Sequence, residues 1–152
     1  MYTEEVLKHF KHPHNFGRIR NPDGAGKIGN IACGDVIQVY IKVKEGRISD
    51  IKFETFGCAA AISSSSVLTD MAKGKTIDHA LKITNRDVAD KLGGLPLHKL
   101  HCSLLAADAL SEAIYDYMSR RGLNIPRELE KRHRKVAVVM KMMGEKYKGK
   151  DK

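Results

Sequence analysis

Ile37-Gln38-Val39-Tyr40-Ile41-Lys42-Val43-Lys44-Glu45-Gly46-Arg47-Ile48-Ser49-Asp50-Ile51-Lys52-Phe53-Glu54-Thr55 is the stretch that decides the fold. Ile37, Val39, Ile41 and Val43 alternate with Gln38, Tyr40, Lys42 and Lys44, the period-2 pattern of a half-buried strand. Glu45-Gly46 makes a tight turn. Ile51, Phe53 and Thr55 then alternate with Lys52 and Glu54, so the segment predicts an antiparallel hairpin. A further strand around 27–32 is more weakly signalled.

Outward from the hairpin the period becomes helical. Residues 3–11 predict a helix with Thr3 as N-cap and Val6, Leu7 and Phe10 on one face. His12-Pro13 stops it, because the residue before proline is pushed out of the helical region. Residues 13–30 are a loop rich in turn formers. After Gly57 a second helix runs to about residue 73, with Gly74 as its stop. Thr76 and Thr84 are candidate N-caps of two short helices, the second ended by Gly93-Gly94. A long helix over 101–121 carries an apolar stripe of Ala106, Leu110, Ala113, Ile114 and Tyr117. Gly122 closes it, and Pro126 suits the start of a last helix. These elements predict an α+β fold, a small antiparallel sheet with helices packed on one face. The expected organisation is one domain over 1–126, with 127–152 as a basic helical extension of it.

At 152 residues, 42% hydrophobic and 30% charged, the chain can build a core without staples. Its mean hydropathy is -0.36. No apolar run approaches the roughly 20 residues a membrane span needs, and the acidic N-terminus is no secretory signal. Three cysteines are too few for a disulfide scaffold, so the reading is a cytoplasmic protein with thiols. Of the net charge of +9, residues 127–152 carry +6, from ten Lys/Arg and four Asp/Glu. A solvated helix face accounts for that tail, and the absence of any nucleic-acid motif argues against such a partner.

Cys33, Cys58 and Cys102 belong to no CxxC pair, which excludes a zinc ribbon and a thioredoxin-type site. Cys58 follows Phe56-Gly57 at a strand-to-helix junction, and Cys102 opens the long helix. Both positions are near helix N-termini, which favour the thiolate that binds soft metals and attacks sulfur. Asp35 lies two residues from Cys33, on the same side of an extended segment. His101 directly precedes Cys102. Three thiolates, an imidazole and a carboxylate suit zinc or iron. Gly34 and Gly57 let backbone approach such a centre closely, and Ala59-Ala60-Ala61 offers small side chains toward a bulky cofactor. Lys99 would bring positive charge. His98 has a weaker claim, and His9, His12, His14, His79 and His133 are expected at the surface or as caps.

The motifs Ile28-Gly29-Asn30-Ile31-Ala32-Cys33-Gly34-Asp35, Phe56-Gly57-Cys58-Ala59-Ala60-Ala61-Ile62 and Lys99-Leu100-His101-Cys102-Ser103-Leu104-Leu105-Ala106 resemble the three signatures of the IscU / NifU N-terminal-domain family of iron–sulfur cluster assembly scaffold proteins. The resemblance covers residues 1–122. It implies a non-enzymatic scaffold on which a [2Fe-2S] cluster is assembled from iron and sulfur, then handed to apo-proteins. A cysteine desulfurase (IscS-like) would supply the sulfur. By motif position Cys33, Cys58 and Cys102 would be cluster ligands, with Asp35 and His101 competing as fourth ligand or assisting. Cys102 is the implied persulfide acceptor, assisted by Lys99, and Asp35 is linked to iron entry and cluster lability. Zinc is the alternative occupant, and a cluster could bridge a homo-oligomer.

Leu95-Pro96-Leu97-His98-Lys99 departs from the Leu-Pro-Pro-Val-Lys of bacterial members, which argues against dedicated Hsc-type chaperone delivery. The alternative function is a SufU-like, zinc-dependent sulfurtransferase on the same fold. Such proteins carry a longer insert between the second and third cysteines and lack the histidine beside the third. Here 43 residues separate Cys58 from Cys102 and His101 is kept, so the scaffold reading is preferred.

Overall fold

Residues 37–55 form the expected hairpin in a computed structural model, which describes residues 3–29, 35–55, 57–94 and 105–148, with side chains through 142. Strand β1 is Gly24–Gly29, β2 Val36–Lys44 and β3 Arg47–Thr55. They form one antiparallel sheet in the order β1-β2-β3. Gly29 pairs with Val36, and Ile37 with Thr55, so one end of the sheet is set by these residues. The strand expected over 27–32 begins earlier, at Gly24, and its residues 30–32 lie outside the described residues.

Ile37, Val39, Ile41, Ile51 and Phe53 are fully buried on one face of the sheet. Ile48 joins them although it lies three residues from Ile51, against the period of two. The pairing steps from Lys42↔Asp50 to Val43↔Ile48, leaving Ser49 as the extra residue of a bulge, which restores Ile48 to the core face. On the opposite face the Tyr40 hydroxyl donates to Glu54 Oε1 at 2.7 Å, and Arg18 Nε donates to both Glu54 oxygens. The outer edge of β3 is covered. Phe53 N–H donates to the Asn15 carbonyl, Gly17 N–H to Phe53, and Ile48 N–H to Lys75.

Among the described residues the helices are α1 Glu4–Lys11, α2 Ala59–Ala72, α3 Ile77–Leu81, α4 Asn85–Lys91, α5 Ala106–Arg120 and α6 Arg127–Lys148. Thr3, Thr76 and Thr84 cap α1, α3 and α4 as expected. Gly74, Gly93, Gly94 and Gly122 take positive φ after their helices. Residues 101–104 lie outside the described residues. α5 begins at Ala106 with Leu105 as its N-cap, later than the expected start at 101, so Cys102 does not open it. Its stripe is otherwise found, with Tyr117 half-buried at the margin of the core.

α2 is the central helix, buried almost all round, and Ser63, Ser64, Ser65 and Ser66 are all fully buried. Each hydroxyl is used. Ser63 donates to the Val6 carbonyl of α1 at 2.7 Å, and Ser65 to the Ala61 carbonyl one turn back at 2.8 Å. Ser66 Oγ accepts the His14 amide at 2.8 Å and lies 2.7 Å from His9 Nδ1. Among the described residues no buried side-chain N or O lacks a partner.

This polar surface corrects the reading of α1. The helix buries Val6 and His9, whereas Leu7 and Phe10 stay 41% and 43% exposed. α2 offers hydroxyls there, and these match an imidazole better than a phenyl ring. His9 is therefore not a surface residue. Burial first, and then the positive influence of His14, hold its pKa below the ordinary histidine value. His133 also turns inward, stacked on Tyr115 with ring centroids 3.7 Å apart and 2.9 Å from Glu112 Oε2. That contact joins α5 to α6. Leu129 and Val136 of α6 are buried in the common core, so the basic helix is docked along one side rather than wholly solvated.

Candidate functional site

β3 ends at Thr55, and the chain crosses to α2 through Gly57 and Cys58. Cys58 is the N-cap of α2, with extended backbone and a side chain that does not cap the helix. Its Sγ is 3.7 Å from Asp35 Oδ2, just ahead of β2. Both residues are half-buried. Thr55 Oγ1 donates to the Val36 carbonyl at 2.6 Å and accepts the Gly57 amide at 3.0 Å, tying the two segments together. A side chain at Gly57 would place Cβ 2.7 Å from Ala61 Cβ and 3.1 Å from Asp35 Cγ. Glycine is therefore required for this close approach. In the sequence Thr55 reads as one more strand residue, although its place two residues before Gly57 is a usable signal.

A thiolate and a carboxylate this close can share one metal ion, since zinc bonds are about 2.3 Å to sulfur and 2.0–2.2 Å to oxygen. Cys33, Lys99, His101 and Cys102 lie outside the described residues, as do Gly34 and the segment 95–100 with His98. What the described residues establish is where the three motifs are anchored. Gly29 and Asp35 bracket the first motif, at the sheet end where Val36 and Thr55 also lie. Gly57 and Cys58 carry the second motif from that same end. α5 follows the third: Gly24 of β1 lies against Ala113 and Tyr117, and Gly26 against Ala109 and Ala113. The start of α5 thus points toward the Gly29 end of β1. The described residues that flank the three motifs are gathered toward one end of the sheet.

Ala60 and Ala61 do not face an open site. Both are fully buried, and Ala61 belongs to the hydrophobic core, while Ala59 is half-buried. Small side chains are needed there to seat α2 against its neighbours. Among the described residues no helix is long and apolar enough to cross a membrane.

Residues 1–124 match the family described as NifU-like N terminal domain. The chain belongs to this family. It is 56% identical over 138 residues to "Iron-sulfur cluster assembly scaffold protein IscU 1" of Archaeoglobus fulgidus, covering 86% of this chain and 90% of that one. It is 48% identical over 124 residues to "Iron-sulfur cluster assembly scaffold protein IscU" of Escherichia coli, covering 79% and 96% respectively. The crystal structure of an N-terminal NifU-like protein from Brucella abortus superposes with a TM-score of 0.64 at 21% identity, covering 78% of this chain and 94% of that one. This last likeness is one of fold. The family match ends at 124, ahead of α6.

Proposed function

We propose that this chain is a non-enzymatic scaffold on which a [2Fe-2S] cluster is assembled and then transferred to apo-proteins. The observation that carries the reading is the Cys58–Asp35 pair, at the sheet end toward which the described residues flanking all three motifs are gathered. Cys33, Cys58 and Cys102 are the proposed cluster ligands, because thiolate matches the softness of an iron–sulfide centre. His101 or Asp35 supplies the fourth position. Zinc can occupy the same donors when no cluster is present. The cluster is cargo here, held long enough to be built and released.

Sulfur enters by exchange with a cysteine desulfurase. The Cys102 thiolate attacks the terminal sulfur of the enzyme's persulfide, the enzyme's S–S bond breaks, and its thiolate leaves. Lys99 assists as a nearby positive charge. Reduction of this sulfur to sulfide draws electrons from a thiol-class or iron–sulfur reductant. Recipients are apo iron–sulfur proteins, and a cluster shared between two copies would make a homo-oligomer. Such thiol chemistry belongs in a reducing cytoplasm. The functional unit is 1–126, with 127–152 as an extension of the same domain.

Anaerobic incubation with iron and a sulfur source should produce visible absorption with matched iron and sulfide, and serine at Cys33, Cys58 or Cys102 should weaken it sharply. Normal clusters in all three serine variants would refute the assignment. Carboxylate is a poor match to iron–sulfide, so Asp35→Ala removes an exit route. Its cluster should survive longer in air and pass more slowly to an apo-ferredoxin. Equal or faster transfer would place lability elsewhere.

A further inference from the structure

Where α1 ends and its loop folds back over α2, two imidazoles and a carboxylate face one another. His9 comes from the last turn of α1, His14 from the loop, and Asp70 from α2. One donor atom from each lies within 4.8 Å of the other two. His14 Nδ1 is 2.6 Å from Asp70 Oδ2, and the two imidazole centroids are 4.8 Å apart.

The groups behind these three are already in place. Ser66 Oγ lies 2.7 Å from His9 Nδ1, which leaves Nε2 for another partner. Asn15 Nδ2 donates to Asp70 Oδ1 at 3.1 Å and to Thr69 Oγ1 at 3.0 Å, leaving Asp70 Oδ2 toward the histidines. Metal-binding histidines and carboxylates are commonly held by such outer hydrogen bonds. In front, His9 and Asp70 line a cleft of about 490 Å³ together with Glu5 and His79, and with Lys75 and Lys91, whose charge a bound cation must outweigh. The cleft has room for water to complete a coordination sphere.

We propose that His9, His14 and Asp70 form a second metal site, for a divalent transition ion such as zinc, separate from the three cysteines. Two imidazoles and one carboxylate suit zinc, cobalt, nickel or ferrous iron and not the oxygen-seeking calcium or magnesium. Asp70 follows Cys58 by 12 residues, roughly 18 Å along the axis of α2, so this ion and a cysteine-bound cargo do not share ligands. Donors on a tetrahedral zinc stand about 3.3 Å apart. The ion replaces the hydrogen bond between His14 and Asp70 and spreads the pair slightly. Their side chains, 50% and 44% exposed, are able to move. Once bound, it cross-links α1, the loop after it and α2. The site stands whether or not the cysteines carry a cluster.

The test is a titration of the full chain with cobalt(II), whose near-ultraviolet sulfur-to-metal band marks thiolate coordination. A chain with Cys33, Cys58 and Cys102 all changed to serine should still bind the ion, with visible absorption and no such band. His14→Ala and Asp70→Asn should each lower that affinity by at least about tenfold, with unchanged circular dichroism. Because His9 is buried, it is probed in place: its ring nitrogen NMR signals should shift with those of His14 as metal is added. Failure of the serine chain to bind cobalt would overturn the site, as would undiminished affinity in both variants. A cluster assay on the native chain reads the cysteine site separately.

Discussion

α2 and α5 both lie against the sheet, and they achieve close packing by opposite means. α5 meets β1 where side chains are missing: Gly24 and Gly26 face the backbone of Ala109 and Ala113. α2 meets α1 through side chains, but polar ones, with Ser63 and Ser66 bonded to Val6, His14 and His9. One seam relies on the absence of atoms, and its failure mode is steric. The other relies on satisfied hydroxyls, and its failure mode is an orphaned polar group. The difference shows that small residues in a core position carry two separate messages.

The steric seam should break hardest. In Gly26→Ala the new Cβ would stand 2.3 Å from Ala113 N and 2.4 Å from Ala109 O, and backbone cannot rotate away. A loss at or beyond the usual upper bound for overpacking, about 3 kcal/mol, is expected in urea unfolding. A cost under about 1 kcal/mol would show that α5 can lift freely and that the comparison is false.

The polar seam should show a graded response. Ser66→Ala removes the acceptor of the His14 amide and the partner of His9, for about 1–3 kcal/mol. Ser65→Ala removes a hydroxyl that donates only within its own helix, to Ala61, and orphans no distant partner, so it should cost about 0.5–1 kcal/mol. Equal losses in thermal or urea unfolding would mean that serine volume matters there and bonding does not.

The smallest effect concerns Asp108 of α5. Burial raises its pKa above the usual aspartate value, against the opposing pull of the Asn85 amide and Arg132. A carboxyl with a raised folded pKa destabilises the native state at neutral pH, where it is ionised. That penalty fades as pH falls through the folded value, because the native state then binds the proton more readily than the unfolded one. Asp108→Asn should therefore raise Tm at pH 7 by on the order of 1 °C. The gain should shrink on acidification, and a gain that grew instead would reverse the sign.

The hairpin was legible because alternation of Ile37, Val39 and Ile41 with Gln38, Tyr40 and Lys42 states which face is buried. The caps at Thr3, Thr76 and Thr84 were legible because each is a local contact within three residues. α1 was misread at Leu7 and Phe10 because hydropathy ranks residues against a generic apolar core, and α2 supplies serines there instead. The bulge at Ser49 hid the placement of Ile48. At the candidate site the residue types and motif order pointed to Cys58 and Asp35, while the role of Thr55 in joining their segments appeared only in the folded chain.

By itself the sequence determined the α+β class, the hairpin, the threonine-capped starts of α1, α3 and α4 and the family resemblance carried by three cysteine motifs, because all of these are written in local period, local capping and short-range spacing. Tertiary structure alone decided that Asp35 comes within 3.7 Å of Cys58, that glycine is required where α5 crosses β1, and that His9, His14 and Asp70 meet. Each of those depends on which surface arrives opposite, from 23 residues apart for Asp35 and Cys58 to 89 apart for Gly24 and Ala113. No local pattern records that partner, since its identity is set by how the helices pack on the sheet.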